Sequence, residues 1–140
     1  MSVNLQAYEQ YKHSVVETAS PGRLLLMLYD AAIRNLDGAK RALSERDVQG
    51  THHLLVKTQD IIMELMSTLN MDYDIAKNLF SLYEYLYSQL VKANVKKDAE
   101  LVEEVHSFML ELRDTWQEAI KRAGTALNAA NQITSVNVKG

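Results

Sequence analysis

The chain has 140 residues, no cysteine, one proline and a formal net charge of -3. This length fits one compact domain, and the lack of cysteine excludes disulfide scaffolds, thiolate metal sites and a cysteine nucleophile. The 15 lysines and arginines are scattered, which argues against nucleic-acid binding because such proteins present a basic face. Since the longest apolar run, Leu24 to Tyr29, is too short to cross a bilayer and the polar N-terminus is not a secretory signal, we expect a cytoplasmic protein that is not membrane-embedded.

Residues 1–19 form an arm that precedes the first predicted helix. The arm carries more apolar side chains than a freely solvated segment would: Val3, Leu5, Tyr8, Tyr11, Val15 and Val16. We therefore expect it to dock on the rest of the protein. Two forms of docking stay open. The arm either occupies a partner-binding site and is displaced when the partner arrives, or it forms a permanent cap on one end of the bundle.

The first two helices have clear start signals and regular apolar spacing. Ser20 and Pro21 suit the N-cap and the first helical position, and Asp47 is a plausible cap for the second helix. Both helices place their inward residues at alternating steps of four and three. The predicted stripes are Leu25, Tyr29, Ala32, Leu36, Ala39 and Leu43, then Thr51, Leu55, Thr58, Ile62, Leu65 and Leu69.

The third and fourth helices follow the same rules. Asp72 or Asp74 is expected to cap the third helix and Asp98 the fourth, and Gly124 is placed where a helix-ending glycine belongs. Their predicted inward stripes are Ile75, Leu79, Leu82, Leu86, Leu90 and Ala93, then Leu101, Val105, Phe108, Leu112, Trp116, Ala119 and Ala123. The spacing predicts an all-α, antiparallel up-down four-helix bundle over residues 20–124. Residues 125–140 are predicted to be a polar tail, either a short fifth helix or disordered.

Catalytic and metal sites find little support in the sequence. The chain has one Glu-x-x-His motif, Glu103 with His106, and Glu103 is expected to face solvent, whereas a di-metal bundle needs two such motifs facing inward. A phosphotransfer histidine would need a nearby lysine and a small neighbour, which no histidine here has together. We therefore predict that all four histidines are surface polar residues, and that the protein is not an enzyme and holds no metal or cofactor.

A surplus of apolar residues remains. The chain has 52 hydrophobic residues larger than alanine, and a four-helix core needs about 26 inward positions. The third helix carries a second line beside its inward stripe: Tyr73, Ala76, Phe80, Tyr83, Tyr87 and Val91. Met63 and Met66 on the second helix and Val102, Met109, Leu110 and Ile120 on the fourth also lie off the main stripes. Any single one fits a position flanking the core, but the set predicts an exposed partner-binding surface.

The motifs along the chain resemble those of the flagellin-specific export chaperones, the FliS family. The resemblance covers about residues 5 to 123, in order and at the expected spacing. Its motifs are Tyr8 with Tyr11; Thr18 to Pro21; Leu24 to Ile33; Lys57 to Leu65; Asn78 to Tyr85; Leu90 to Asn94; Asp98; Glu103 to Val105; and Arg113 to Ile120.

The resemblance implies a cytoplasmic bundle that binds the disordered C-terminal segment of flagellin, prevents premature polymerisation and helps deliver it to a component of the export gate. The resemblance also allows a co-chaperone or regulator as a further partner, and it allows a homodimer. In the family the arm is thought to occupy part of the cargo site. The predicted partner-binding residues are Leu5, Tyr8, Tyr11, Met63, Met66, Phe80, Tyr83, Tyr87, Met109 and Ile120. The alternative is a bundle adaptor that binds another amphipathic helix or itself without an export role.

Overall fold

A computed structural model describes the backbone of residues 21–139 and the side chains of residues 21–123. It contains four helices: α1 (Pro21–Ser44), α2 (Val48–Ser67), α3 (Asp74–Lys96) and α4 (Ala99–Lys139). α1 packs against α2 and α4, and α3 packs against the same two helices. The predicted all-α bundle is confirmed, and residues 21–139 include no strand.

Local side chains fix where the helices begin and end. Asp47 Oδ1 accepts a hydrogen bond from the Gly50 N–H at 2.9 Å, and Asp98 Oδ1 accepts one from the Glu100 N–H at 2.9 Å. The cap predicted for the third helix is wrong, because the N-cap position is Tyr73, whose side chain makes no capping bond. Asp74 instead lies inside the first turn, where its charge suits the helix dipole.

The core confirms the first two predicted stripes and part of the other two. In α1 and α2 the buried residues are Tyr29, Ala32, Leu36, Ala39 and Ala42, with Thr51, Leu55, Thr58, Ile62 and Leu65. In α3, Ile75 is 67% exposed while Ala76 and Tyr83 are buried. In α4, Val102, Val105 and Met109 are fully buried, whereas the predicted inward Ala119 and Ala123 are exposed. The predicted Leu86, Leu90 and Ala93 of α3 are also fully buried, so residues of both apolar lines face the core in these two helices.

Three polar pairs join α1 to α4 at matching intervals, and we call them the charge ladder: Asp30 with Arg113, Asp37 with His106, and Lys40 with Glu103. His106 Nε2 lies 2.9 Å from Asp37 Oδ1, and Lys40 Nζ lies 2.5 Å from Glu103 Oε2. The steps of seven and three along α1 repeat in reverse along α4, so the ladder sets their antiparallel register. The Lys40 hydrogen bond lowers the pKa of Glu103, which is exposed as predicted.

Two features of the ladder region and of α4 differ from the sequence predictions. His106 is buried, so the prediction that all four histidines are surface residues is wrong for this one. Gly124 does not end α4, because the helix continues through it to Lys139. A single glycine costs a helix only about 1 kcal/mol relative to alanine, which does not force it to end. Among the described helices, none is long and apolar enough to cross a membrane.

Candidate functional site

A groove lies between the outer faces of α2 and α3, and we call it the α2–α3 groove. It encloses about 560 Å³ and is lined by Met63, Met66, Ser67, Phe80, Glu84 and Tyr87. Because α2 turns Ile62 and Leu65 into the core, the neighbouring Met63 and Met66 fall on the groove side. Phe80, Glu84 and Tyr87 are separated by four and three residues, so they share one face of α3.

The lining of the α2–α3 groove suits an apolar helical ligand. Met63 is 55% exposed, and Met66, Phe80 and Tyr87 are half-buried. Methionine fills irregular gaps and aromatic rings supply large contact areas, so this set adapts to a partner's side chains. Glu84 is the one charged residue among the six that line the groove. A ligand therefore finds mainly apolar contacts and one acidic position.

The apolar surface continues along both helices toward the far end of the bundle. Val56 lies two turns before Met63 and is 36% exposed, and Val91 lies one turn after Tyr87 and is 40% exposed. Beyond them the side chains of Asn94 and His52 are hydrogen-bonded at 2.8 Å, which joins the two helices. The surface from Ser67 back to His52 is about 24 Å long, enough for a helix of four turns.

A second cavity lies at the end of the bundle, and we call it the end cavity. It encloses about 470 Å³, and its lining is mostly apolar: Pro21, Gly22, Leu24, Leu25, Leu28, Thr68, Leu69, Asn70, Tyr73, Ile75, Ala76, Leu79, Tyr83, Trp116 and Ile120. Gly22 permits α4 to approach α1 closely here, since a Cβ at this position would lie 2.7 Å from Cγ1 of Ile120.

Three aromatic side chains connect the end cavity to the core. The hydroxyls of Tyr29 and Tyr83 are hydrogen-bonded to each other, and the Trp116 Nε1–H donates to the Tyr29 hydroxyl at 3.2 Å. Burial raises the pKa of both tyrosines. This network satisfies the polar ends of side chains that are otherwise enclosed by apolar neighbours. It accounts for the burial of Tyr83, whose hydroxyl has a partner inside the bundle.

The predicted binding residues separate into four groups. Met63, Met66, Phe80 and Tyr87 come together in the α2–α3 groove. Tyr83 and Ile120 line the end cavity, and Met109 is part of the core. The exposed positions predicted for Tyr83 and Met109 are wrong, because the two residues are 1% and 0% exposed. The predicted arm residues, Leu5, Tyr8 and Tyr11, lie outside the described residues.

The sequence argument also missed two polar members of the α2–α3 groove. Glu84 and Ser67 line it beside the apolar residues, but a search for surplus apolar side chains does not find them. The signal for Glu84 was its position, four residues after Phe80 and three before Tyr87. Within the part of the chain whose side chains are described, no cluster of three His, Asp or Glu residues could hold a metal ion.

Comparison with known proteins gives one consistent result. The family described as Flagellar protein FliS matches residues 4–123. The flagellar secretion chaperone FliS of Bacillus subtilis (strain 168) is 36% identical over 114 residues, which cover 81% of this chain and 86% of that protein. The corresponding chaperone of Vibrio cholerae is 34% identical over 121 residues, covering 84% and 89%. A crystal structure of a bacterial flagellar chaperone shares the fold, with a TM-score of 0.69 at 23% identity, covering 85% of this chain and 98% of that one.

Proposed function

The chain belongs to the flagellar protein FliS family, and we propose that it binds the C-terminal segment of flagellin in the α2–α3 groove. The relatives are named flagellar secretion chaperones, which supports a role in export during flagellum assembly. We propose further that binding takes place in the cytoplasm, keeps flagellin from polymerising too early and delivers it to the export gate.

One observation carries this proposal: the α2–α3 groove exposes an apolar lining that the bundle itself does not cover. Met63 is 55% exposed in a groove that also presents Met66, Phe80 and Tyr87. Exposed apolar patches of this kind mark binding sites, and helix-in-groove recognition reads apolar residues at steps of three and four. A segment that folds into an amphipathic helix on binding would fill the groove.

The energetics suit a chaperone that must release its cargo. A disordered segment gives up conformational entropy when it folds on a surface, so its affinity per unit area is moderate. The same coupled folding buries apolar area, which gives a strongly negative heat-capacity change. Moderate affinity and a large buried surface together protect the segment without holding it permanently.

Isothermal titration calorimetry with the last ~40 residues of the organism's flagellin tests the proposal. We expect a dissociation constant of about 1 µM or below, a strongly negative heat-capacity change and a gain of helical circular dichroism in the peptide. Absence of both heat and helicity gain would contradict flagellin binding.

Substitution then tests whether the α2–α3 groove is the site. Met63→Ser removes an exposed groove contact, so we expect about tenfold weaker binding with an unchanged melting temperature. Val48→Ser is the matched control, because Val48 is 61% exposed at the start of α2, far from the groove lining. Equal affinity of the two variants would place the flagellin segment elsewhere on the bundle.

A further inference from the structure

One carboxylate lies between aromatic side chains in the α2–α3 groove. Glu84 comes four residues after Phe80 and three before Tyr87, so the three side chains follow one another along the same face of α3. At these spacings the Cβ atoms of neighbours are about 5–6 Å apart, which puts one aromatic side chain on each side of the acidic one. Both aromatic residues are half-buried, whereas Glu84 is exposed.

The described part of the chain supplies no cation for this carboxylate. On α3, the residues three and four positions from Glu84 are uncharged: Phe80, Ser81, Tyr87 and Ser88. Across the groove, α2 contributes two methionines and a serine to the lining. Among residues 21–123, no hydrogen bond or ion pair involves the Glu84 side chain. By contrast, each acidic side chain of the charge ladder faces a basic one on the neighbouring helix.

An unpaired carboxylate in an apolar groove discriminates between ligands. A helix that covers Glu84 with apolar side chains removes water from the carboxylate without replacing its hydrogen bonds, and this loss weakens binding. An acidic side chain at the same level adds repulsion. A basic side chain there replaces the lost water with a charge-assisted hydrogen bond. Glu84 therefore favours one class of apolar helix through unfavourable as well as favourable contacts.

The flanking rings favour arginine over lysine at this position. A guanidinium group is planar, so it can stack on an aromatic ring and donate two parallel hydrogen bonds to a carboxylate. Because Phe80 and Tyr87 each lie one turn from Glu84, a single arginine side chain can contact a ring and the carboxylate together. The ammonium group of lysine is a strongly hydrated point charge and makes neither the paired hydrogen bonds nor the stack.

We propose that Glu84 binds an arginine side chain of the helix that fills the α2–α3 groove, with Phe80 and Tyr87 on either side of the guanidinium group. The contact also sets the register of the bound helix. Apolar side chains can shift by one turn on the adaptable methionine lining, whereas the ion pair forms in one position. That this helix is a segment of flagellin rests on the proposed function, whereas the preference for arginine rests on the lining of the groove.

Two synthetic peptides test the preference without flagellin. Each is an amphipathic helix of about 16 residues with leucines at steps of three and four. They differ at one central position beside the leucine face, where one peptide carries arginine and the other citrulline, a neutral residue of nearly the same shape. In isothermal titration calorimetry with the full chain, we expect the arginine peptide to bind about tenfold more tightly. Equal affinities, or no binding of either peptide, overturn the proposal.

Substitution of Glu84 tests whether it is the source of the preference. Glu84→Gln should bring the affinities of the two peptides within about twofold of each other. Glu64→Gln is the matched control, because it removes the same charge from an exposed position of α2 outside the groove lining, and it should retain the tenfold preference. Both positions are exposed, so circular dichroism should show the parent melting temperature for each variant. An equal effect of the two substitutions would show a general field of the protein and overturn the contact.

Exchange of the charges identifies the partner of Glu84 directly. Glu84→Arg should bind the arginine peptide at least about tenfold more weakly than the parent chain does, since like charges then meet. A third peptide, with glutamate at the central position, should bind Glu84→Arg about tenfold more tightly than it binds the parent chain. No such recovery would mean that the central residue of the peptide does not lie beside Glu84, and the proposal would fall.

The flagellin peptide separates this inference from the proposed function. We expect replacement of one of its arginines by citrulline to weaken binding to the parent chain about tenfold, with no further loss for Glu84→Gln. If the flagellin peptide does not bind while the arginine peptide keeps its preference, the proposed function fails and the arginine site stands. If the flagellin peptide binds the parent chain and Glu84→Gln equally, flagellin binding stands and the Glu84 contact is overturned.

Discussion

The two long faces of the bundle differ in how they are held together. Where α1 meets α4, the pairs of the charge ladder match the antiparallel register, and Trp116 of α4 donates a hydrogen bond to Tyr29 of α1 at one end. Where α2 meets α3, the outer surface is an open groove lined by methionine and aromatic side chains. Directional polar contacts define one arrangement, whereas nondirectional apolar contacts accept several.

This difference suits a protein that binds a folding segment. The face between α1 and α4 keeps the bundle in one register, so the α2–α3 groove retains its length and spacing. The groove side chains remain free to adjust, because Met63 is 55% exposed and has little packing to lose. Stability and the proposed recognition therefore depend on different residues, and variants of the two faces are expected to separate the two effects.

The largest expected effect separates two methionines that the sequence placed in one surface. Met109 is fully buried in α4, so Met109→Ala is expected to lower the free energy of unfolding by about 3 kcal/mol. Met63→Ala, in the α2–α3 groove, is expected to change it by no more than about 0.5 kcal/mol. Urea unfolding followed by circular dichroism measures both. Equal losses would remove the distinction between core and groove.

The methionine pair also shows how far the sequence could predict the site. Periodicity predicted the four helices, the buried stripes of α1 and α2, and the groove residues Met63, Met66, Phe80 and Tyr87. It could not say which residues of the two apolar lines on α3 and α4 are buried, because both lines have helical spacing and each contributes to the core. Their burial depends on the partner helix, since burial of Tyr83 is coupled to its hydrogen bond with Tyr29.

Polar contacts between helices were harder to predict. Charged residues at helical spacing usually indicate a solvated face, so nothing in the sequence paired Asp37 with His106 or buried the histidine. Their matching intervals become visible only when α1 and α4 are aligned in opposite directions. Gly124 was misleading for a related reason: a helix-ending glycine needs a left-handed backbone, and spacing alone does not supply that information.

The second-largest expected effect is a loss of stability at alkaline pH, which comes from the buried tyrosines Tyr29 and Tyr83. Burial raises the pKa of Tyr29 and Tyr83 above the ordinary value of 10.0, so their contribution to stability is complete below about pH 10. Above that pH the unfolded chain loses these protons while the native protein keeps them. The free energy of unfolding then falls as pH rises, by at most about 1.4 kcal/mol per pH unit for each tyrosine.

Urea unfolding at pH 8, 10 and 11 measures this fall, with Tyr29→Phe to identify its source. We expect a shallower decline for Tyr29→Phe than for the parent chain, along with a loss of about 1–2 kcal/mol at neutral pH because Trp116 loses its acceptor. Tyr73→Phe is the control, because Tyr73 is 63% exposed and is not one of the three side chains of the hydrogen-bonded network. Identical pH slopes in all three proteins would rule out the buried tyrosines as the cause.

The smallest expected effects on stability come from substitutions in the charge ladder. Within the ladder, we expect a more buried pair to contribute more. Arg113 donates hydrogen bonds to Asp30 and Gln117, and its side chain is 28% exposed. Arg113→Met is therefore expected to lower the free energy of unfolding by about 1 kcal/mol. Lys40→Met is expected to cost about 0.5 kcal/mol or less, because the Lys40 and Glu103 side chains are 36% and 53% exposed and water screens their pair. Urea unfolding at low and high salt checks both values, and salt should reduce the Lys40 effect further.

Neither the Arg113→Met nor the Lys40→Met substitution touches the α2–α3 groove, so both variants should retain the affinity of the parent chain for the flagellin peptide. If Arg113→Met folds fully but binds the peptide more weakly, helix register and groove geometry are coupled across the bundle.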